Sequence, residues 1–274
     1  MTCAASRYQR RTEKEESMQF SRADCHSETQ PLPKLSPQDT FRFECGPHVQ
    51  CFTECCAKLE LRITPYDVLR LKRRLDMSSG DFLESYTTMK TDAAHGFPEF
   101  VLKMDSANEN RCPFVRPKGC SLYEDRPGAC RMYPLGRAST SDPVDGSRRE
   151  FYFTVKEDHC RGFEQKKEWK IADWIADQGL VDYNVVNDLL MELYVLKTRG
   201  KAVNLESQHM QMFVMACYNL DRFRDFVFRS KFLEKFDLEK EVEDSIREND
   251  LELLKFGVRW LRFALFREPV MQIR

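Results

Sequence analysis

Apolar residues recur three or four positions apart through most of the second half of the chain and far less regularly in the first. Val185, Val186, Leu189, Leu190, Leu193 and Leu196 fall on one helical face that ends near Gly200. Met210, Phe213, Val214, Cys217 and Leu220 predict a further helix, and Leu251, Leu254, Val258, Leu261 and Leu265 a terminal one. Trp169, Ala172, Ile175 and Ala176 predict a shorter helix, stopped by Gly179 because glycine takes the left-handed conformation of a helix end. No proline interrupts the stretch between Gly162 and Pro269.

The first half reads differently. Residues 1 to about 38 are polar, with Pro31, Pro33 and Pro37 near their end, which predicts a flexible leader. Thr64-Pro65-Tyr66-Asp67 has the makings of a helix start: Thr64 as N-cap, Pro65 in the first turn, where no N–H is needed, and an acid beside the positive end of the dipole. Val68, Leu71 and Leu75 continue it, and Ser78-Ser79-Gly80-Asp81-Phe82-Leu83 starts a second short helix after a break. Phe100–Met104 and Phe151–Val155 have strand character and are expected to pair as a small antiparallel sheet. A long turn-rich connection lies between them.

These elements predict an α+β chain, mostly α. A leader over residues 1–38 precedes a loop-rich cysteine domain over 39–162 and a helical subdomain over 163–274. Such a loop-rich domain needs something besides a large core to hold it, and its cysteines supply a candidate. Of eleven cysteines, eight fall in this region: Cys45, Cys51, Cys55 and Cys56, then Cys112, Cys120, Cys130 and Cys160. Cys3, Cys25 and Cys217 stand apart. The polar first twenty residues contain no apolar stretch of signal-peptide length, and no apolar run reaches the roughly 20 residues of a membrane span. A reducing cytoplasm is therefore the expected compartment, where clustered cysteines are more often ligands than disulfides. A net charge of −1 with 32% charged residues gives a well-solvated surface and argues against a dedicated nucleic-acid binder.

Four thiolates complete a tetrahedral zinc site or hold a four-iron, four-sulfur cluster, so eight suffice for two such centres. Ligation would also supply the folding energy that a loop-rich region lacks. Adjacent Cys55 and Cys56 are expected to point in different directions. His48 and His159 neighbour these thiols but read better as surface or hydrogen-bonding histidines. Arg126 and Arg131 flank Cys130, where they can offset thiolate charge, grip a substrate anion or pair with Glu124 and Asp125. Tyr123 and Tyr133 are expected to pack around the site. The segment His209 to Cys217, with its methionines and a cysteine, would suit copper(I), but Met210, Phe213, Val214 and Cys217 have the spacing of a buried helix face. The basic clusters near 70–74 and 255–267 are read as solvated helix faces, with a protein partner on the C-terminal helices as the other reading.

The order Cys45-x5-Cys51-x3-Cys55-Cys56, Ile63 to Leu71, Cys112-Pro113-Phe114, Gly119-Cys120-Ser121-Leu122-Tyr123-Glu124-Asp125-Arg126-Pro127-x2-Cys130-Arg131-Met132-Tyr133-Pro134 and His159-Cys160-Arg161-Gly162 resembles the YkgJ-type cysteine-cluster family. The first group is wider than that family's common C-x2-C-x2-C-C form, with Gly46 to Gln50 between its first two thiols. The resemblance implies zinc or iron chelation by the eight cysteines. Some relatives are labelled flagellin lysine N-methylases, which implies S-adenosylmethionine as an alternative cofactor. The chain itself contains neither a G-x-G-x-x-G loop nor a P-loop. The leading expectation is a metal-binding protein with a structural, redox or metal-handling role. The alternatives are a protein-lysine methylase, and a partner-binding module whose metal only stabilises the fold.

Overall fold

The computed structural model describes residues 33–92, 96–141, 148–198 and 206–274. The expected leader lies outside the described residues as far as Leu32, as do Cys3 and Cys25. Pro33–Arg274 form one compact unit. Helix accounts for 49% and strand for 18%, in small antiparallel sheets, so the fold is α+β and mostly α.

The chain enters through β1 (Thr40–Arg42) and makes a long turn containing the first four thiols. It continues through β2 (Arg62–Ile63) into α1 (Pro65–Arg74) and α2 (Ser79–Tyr86). The start of α1 is a capping box: Thr64 Oγ1 accepts from Asp67 N at 3.3 Å while Asp67 Oδ2 accepts from Thr64 N at 2.8 Å. Ser78 caps α2 by accepting from Asp81 N. The strands β3 (Thr87–Thr91) and β4 (Pro98–Leu102) follow, and the sheet order is β2-β4-β3. A miniature hairpin, β5 (Val115–Arg116) and β6 (Gly119–Cys120), leads to α3 (Gly128–Met132) and then to the hairpin of β7 (Leu135–Ser141) and β8 (Arg148–Thr154).

The two strand segments foreseen in the sequence therefore form, but not with each other. Phe100 lies opposite Met89 and Ile63, and Phe151 opposite Ala138. Each strand is paired with a hairpin neighbour, for which loop closure removes less chain entropy than for a partner some fifty residues away.

Further along, β9 (Glu168–Lys170) pairs back onto β1, with Trp169 opposite Phe41. Trp169 is thus a strand residue rather than part of the next helix, which is α4 (Ile171–Asp177), and its indole donates to Phe43 O. Gly179, at φ +60°, ends that helix as expected. The helices α5 (Val181–Thr198), α6 (Ser207–Phe213), α7 (Leu220–Arg229) and α8 (Phe232–Lys235) come next. A strand β10 (Phe236–Asp237), helices α9 (Lys240–Glu248) and α10 (Asp250–Phe266) and a strand β11 (Gln272–Ile273) paired with β10 complete the chain.

The expected helix through Met210 and Leu220 is broken by a π-helical turn at Val214–Tyr218, after which Asn219 caps α7. The cause lies across the core, where α10 comes so close that a Cβ on Gly257 would sit 2.4 Å from Ala216 O.

One apolar cluster runs from Phe41 to Met271. Beside it, Lys72 of α1 is buried and bridges Asp221 of α7 and Asp250 of α10, both at 3.1 Å. Burial alone would raise the Asp250 carboxyl; the Arg224 hydrogen bond and the Lys72 charge outweigh it and hold it below the ordinary value. Its contribution is then complete above about pH 4 and is lost as pH falls through the lowered value. Lys72→Met is expected to destabilise by roughly 2 kcal/mol, less than the ~3–5 kcal/mol of a fully unpaired buried charge, because Asp250 keeps Arg224 and Asp221 is partly exposed. Urea unfolding should show this deficit at pH 7 and a smaller one in acid. No helix among the described residues is long and apolar enough to cross a membrane.

Candidate metal centre

Backbone hydrogen bonds, not the thiols themselves, bring the two cysteine groups together. Cys45 and Cys51 lie in the turn after β1, and Cys55 and Cys56 on a short 3₁₀ turn, Glu54–Cys56. The start of this turn is tied to the residues around Cys160: Glu44 N donates to Gly162 O at 3.1 Å, and Arg161 N donates to Cys51 Sγ at 3.1 Å. Its end is tied to the second group, since Cys112 N donates to Cys56 O at 2.7 Å and Lys58 N to Asn110 O at 2.8 Å. Val115 N bonds Cys112 O and pairs with Cys120 across the β5–β6 hairpin.

Cys130 is placed by α3, and α3 is placed by Asp67. This fully buried carboxylate caps α1 with one oxygen and accepts from Gly128 N at 2.7 Å with the other. Burial pushes the carboxyl upward, against the pull of the Gly128 and Thr64 N–H groups and the Arg131 guanidinium. The same helix is held from behind by Arg131. Its guanidinium is buried and donates to the carbonyls of Arg126, Gln178 and Glu124. Arg126 donates to Tyr123 O at 2.6 Å and to the Gln178 side chain, and lies 3.8 Å from the centre of the Tyr123 ring. Of the acids named as partners for these arginines, Asp125 pairs with Arg70 at 2.7 Å, and Glu124 meets Arg131 through its backbone carbonyl. Arg131 is thus a scaffold for the loop, while Arg126 keeps its charge near Cys45, Cys120 and Cys130.

All eight sulfurs are thiols, with Cys51 and Cys160 buried, Cys55, Cys56, Cys112 and Cys120 half-buried, and Cys45 and Cys130 reaching solvent. Burial raises the Cys45 thiol to about 11, with further contributions from Cys55, Cys51 and Cys160. Crowding by protein raises Cys130 to about 12, helped by Cys112, Asp67, Cys120 and Cys55. Burial and Cys120 raise Cys112. The Cys55 thiol is raised first by a hydrogen bond with Cys56, then by burial and by the Cys56 and Glu157 charges. Electrostatically, Cys45 feels Cys51, Cys55 and Cys160, whereas Cys130 feels Cys112, Cys120 and Cys55, which gives two overlapping neighbourhoods of charge.

Among the described residues, no three Cys, His, Asp or Glu side chains are arranged to hold one ion. His48 faces Glu44 at 3.5 Å and His159 faces Glu157 at 3.4 Å. Glu157 and His159 border an open depression of about 770 Å³, with Glu54, Lys58, Glu109 and Arg111 on its other sides. Cys217 is fully buried in the core, where burial raises its thiol, and Phe213 beside it is buried as well, in keeping with a packing role for that helix face.

The family model described as "CxxCxxCC: Putative zinc- or iron-chelating domain" matches residues 44–161, a span that includes all eight thiols. Residues 44–161 are thus similar to that domain. No curated protein and no solved structure gives a significant match. The eight thiols within the matched span suit either metal named in that description, because soft thiolates bind zinc and iron–sulfur clusters alike. Arg161 N–H and the Arg126 charge supply the outer contacts that such sulfurs use. Sequence reading passed over Asp67 as a clamp, although its place three residues after the Thr64 cap marked it as a capping acid.

Proposed function

We propose that the CxxCxxCC domain of this chain holds zinc or an iron–sulfur centre through Cys45, Cys51, Cys55, Cys56, Cys112, Cys120, Cys130 and Cys160, in the cytoplasm, for a structural, redox or metal-handling role. The observation that supports this reading is eight free thiols on four stretches of a loop-rich region that are tied to one another or to the core by Arg161 N–H to Cys51, Cys112 N–H to Cys56 O and Gly128 N–H to Asp67. Protonated sulfurs have nothing to draw them together. In a tetrahedral zinc site, with Zn–S near 2.3 Å, they stand roughly 4 Å apart, a spacing that thiolate–metal attraction maintains. Bound metal would supply a cross-link between the two cysteine groups and, if iron, a redox centre. Cys51 is the sulfur best placed for it, since Arg161 N–H already donates to it.

Anaerobic purification followed by absorbance spectroscopy and metal and sulfide analysis tests the proposal. A brown protein with iron and sulfide identifies a cluster, a colourless one with stoichiometric zinc identifies zinc, and a chain with neither overturns the reading. Affinity is expected to rise with pH, because thiols at about 11 and 12 must lose their protons to bind. Chelator competition between pH 6 and pH 8 should show metal affinity increasing by roughly tenfold or more per pH unit.

A further inference from the structure

Tyr133 carries a buried hydroxyl without a hydrogen-bond partner, a rare arrangement in a well-packed protein that calls for a physical reason. The Cys160 thiol is the side chain that acts on it most strongly, near enough to be felt but without a well-formed hydrogen bond, and the Glu157 and Cys55 charges act beyond it. Both residues are held firmly. The Tyr133 ring packs edge-on against Phe43 at 5.9 Å, and Phe43 is itself wedged against Phe163 at 5.4 Å and Trp174 at 5.7 Å. Gly162 admits this wedge, since a Cβ there would lie 2.4 Å from the Phe43 ring. After Tyr133, Pro134 O accepts from Val155 N at 2.7 Å, which sets the strand pair that leads to Cys160; Cys160 N in turn donates to Glu157 O.

We propose that the Tyr133 hydroxyl is a positioning donor to the Cys160 sulfur of the metal centre, an inference that rests on the metal-binding reading above. A neutral thiol is a weak acceptor and leaves the phenol unsatisfied. A metal-bound thiolate is a charged acceptor, and the O–H···S hydrogen bond becomes strong only then. The same residue spans the two cysteine groups, because Tyr133 N closes α3 by donating to Ala129 O, next to Cys130, while its hydroxyl reaches Cys160. Tyr133 thus couples the sulfur donor strength of one group to the placement of the other.

The test uses the full chain loaded with cobalt(II), whose thiolate-to-metal charge-transfer band reports the electron density on sulfur. Tyr133→Phe is expected to shift that band and to speed metal loss to a chelator by roughly tenfold, the lower end of what lost outer contacts do. Site-specific 3-fluorotyrosine at 133 keeps the shape, strengthens the donor and should shift the band the opposite way, which keeps the test decisive if Tyr133→Phe folds poorly. An unchanged band and chelation rate in both proteins overturn the inference, even if thermal stability falls. A wild-type chain that shows no thiolate-to-metal band at all overturns the metal-binding reading, and this inference with it.

Discussion

Replacing Cys51 or Cys120 by serine is expected to strip the bound metal and loosen the domain, whereas Cys217→Ser leaves the metal in place. Serine keeps the size of the side chain but offers a hard oxygen that stays protonated, so a soft metal loses a ligand outright. The loss should exceed roughly 100-fold in metal affinity, beyond the range for outer contacts alone. Because ligation contributes folding energy, the same two variants should unfold at lower temperature only while metal is available to the wild type. Cys51 and Cys120 sample the two neighbourhoods separately, Cys51 bonded to Arg161 N–H and Cys120 paired with Val115. Cys217 is buried in the core and far from any such role, so its serine should reduce stability by roughly 1–3 kcal/mol through a buried hydroxyl and leave metal content unchanged. Cys3→Ser and Cys25→Ser should change neither. Metal analysis of the five purified proteins beside thermal melts decides the matter; equal metal in all of them removes the ligand assignment.

What the sequence revealed was what depends on near neighbours along the chain. The helix start at Thr64, Pro65 and Asp67 closes within four residues, and the structure has Thr64 as the N-cap as read, with Asp67 completing a capping box. The terminal helix, Asp250–Phe266, follows its apolar spacing because its whole buried face is written in one stretch. The region of the thiols was visible from their density alone. The misreadings arise where a distant residue decides. The helix expected through Met210 and Leu220 breaks because Gly257 lets α10 press on Ala216. Trp169 has helical spacing with its neighbours but is drawn into a strand by Phe41, more than a hundred residues earlier. Neighbours among the thiols were not readable either, because they are set by Asp67, Arg131 and the Cys112–Cys56 backbone bond. Arginine beside cysteine suggested charge compensation for both arginines; only Arg126 retains that position, since Arg131 is committed to three carbonyls.

Asp67→Ala should have the largest effect of any substitution outside the thiols. Its two carboxylate oxygens serve Thr64 N at 2.8 Å and Gly128 N at 2.7 Å, so alanine leaves two N–H groups facing a small void. Unsatisfied buried donors are worth about 1–3 kcal/mol each, which sets an expected loss of roughly 3–4 kcal/mol. Asn at this position retains one acceptor and turns an NH₂ toward the other donor, so about 2 kcal/mol is expected for Asp67→Asn. The distinctive consequence lies in α3. Without the clamp, Gly128 loses its anchor on α1, and Cys130 and Tyr133 lose the helix that aims them. A side chain at 128 could not replace the clamp by packing, since its Cβ would come 3.0 Å from the Tyr183 ring. Chemical denaturation with and without added zinc separates the two effects. If the carboxylate only caps α1, both conditions lose the same stability; if it also positions α3, zinc stabilises the variant less than the wild type. The second result is expected, because Asp67 makes its shorter bond with Gly128, the residue that opens the helix of Cys130.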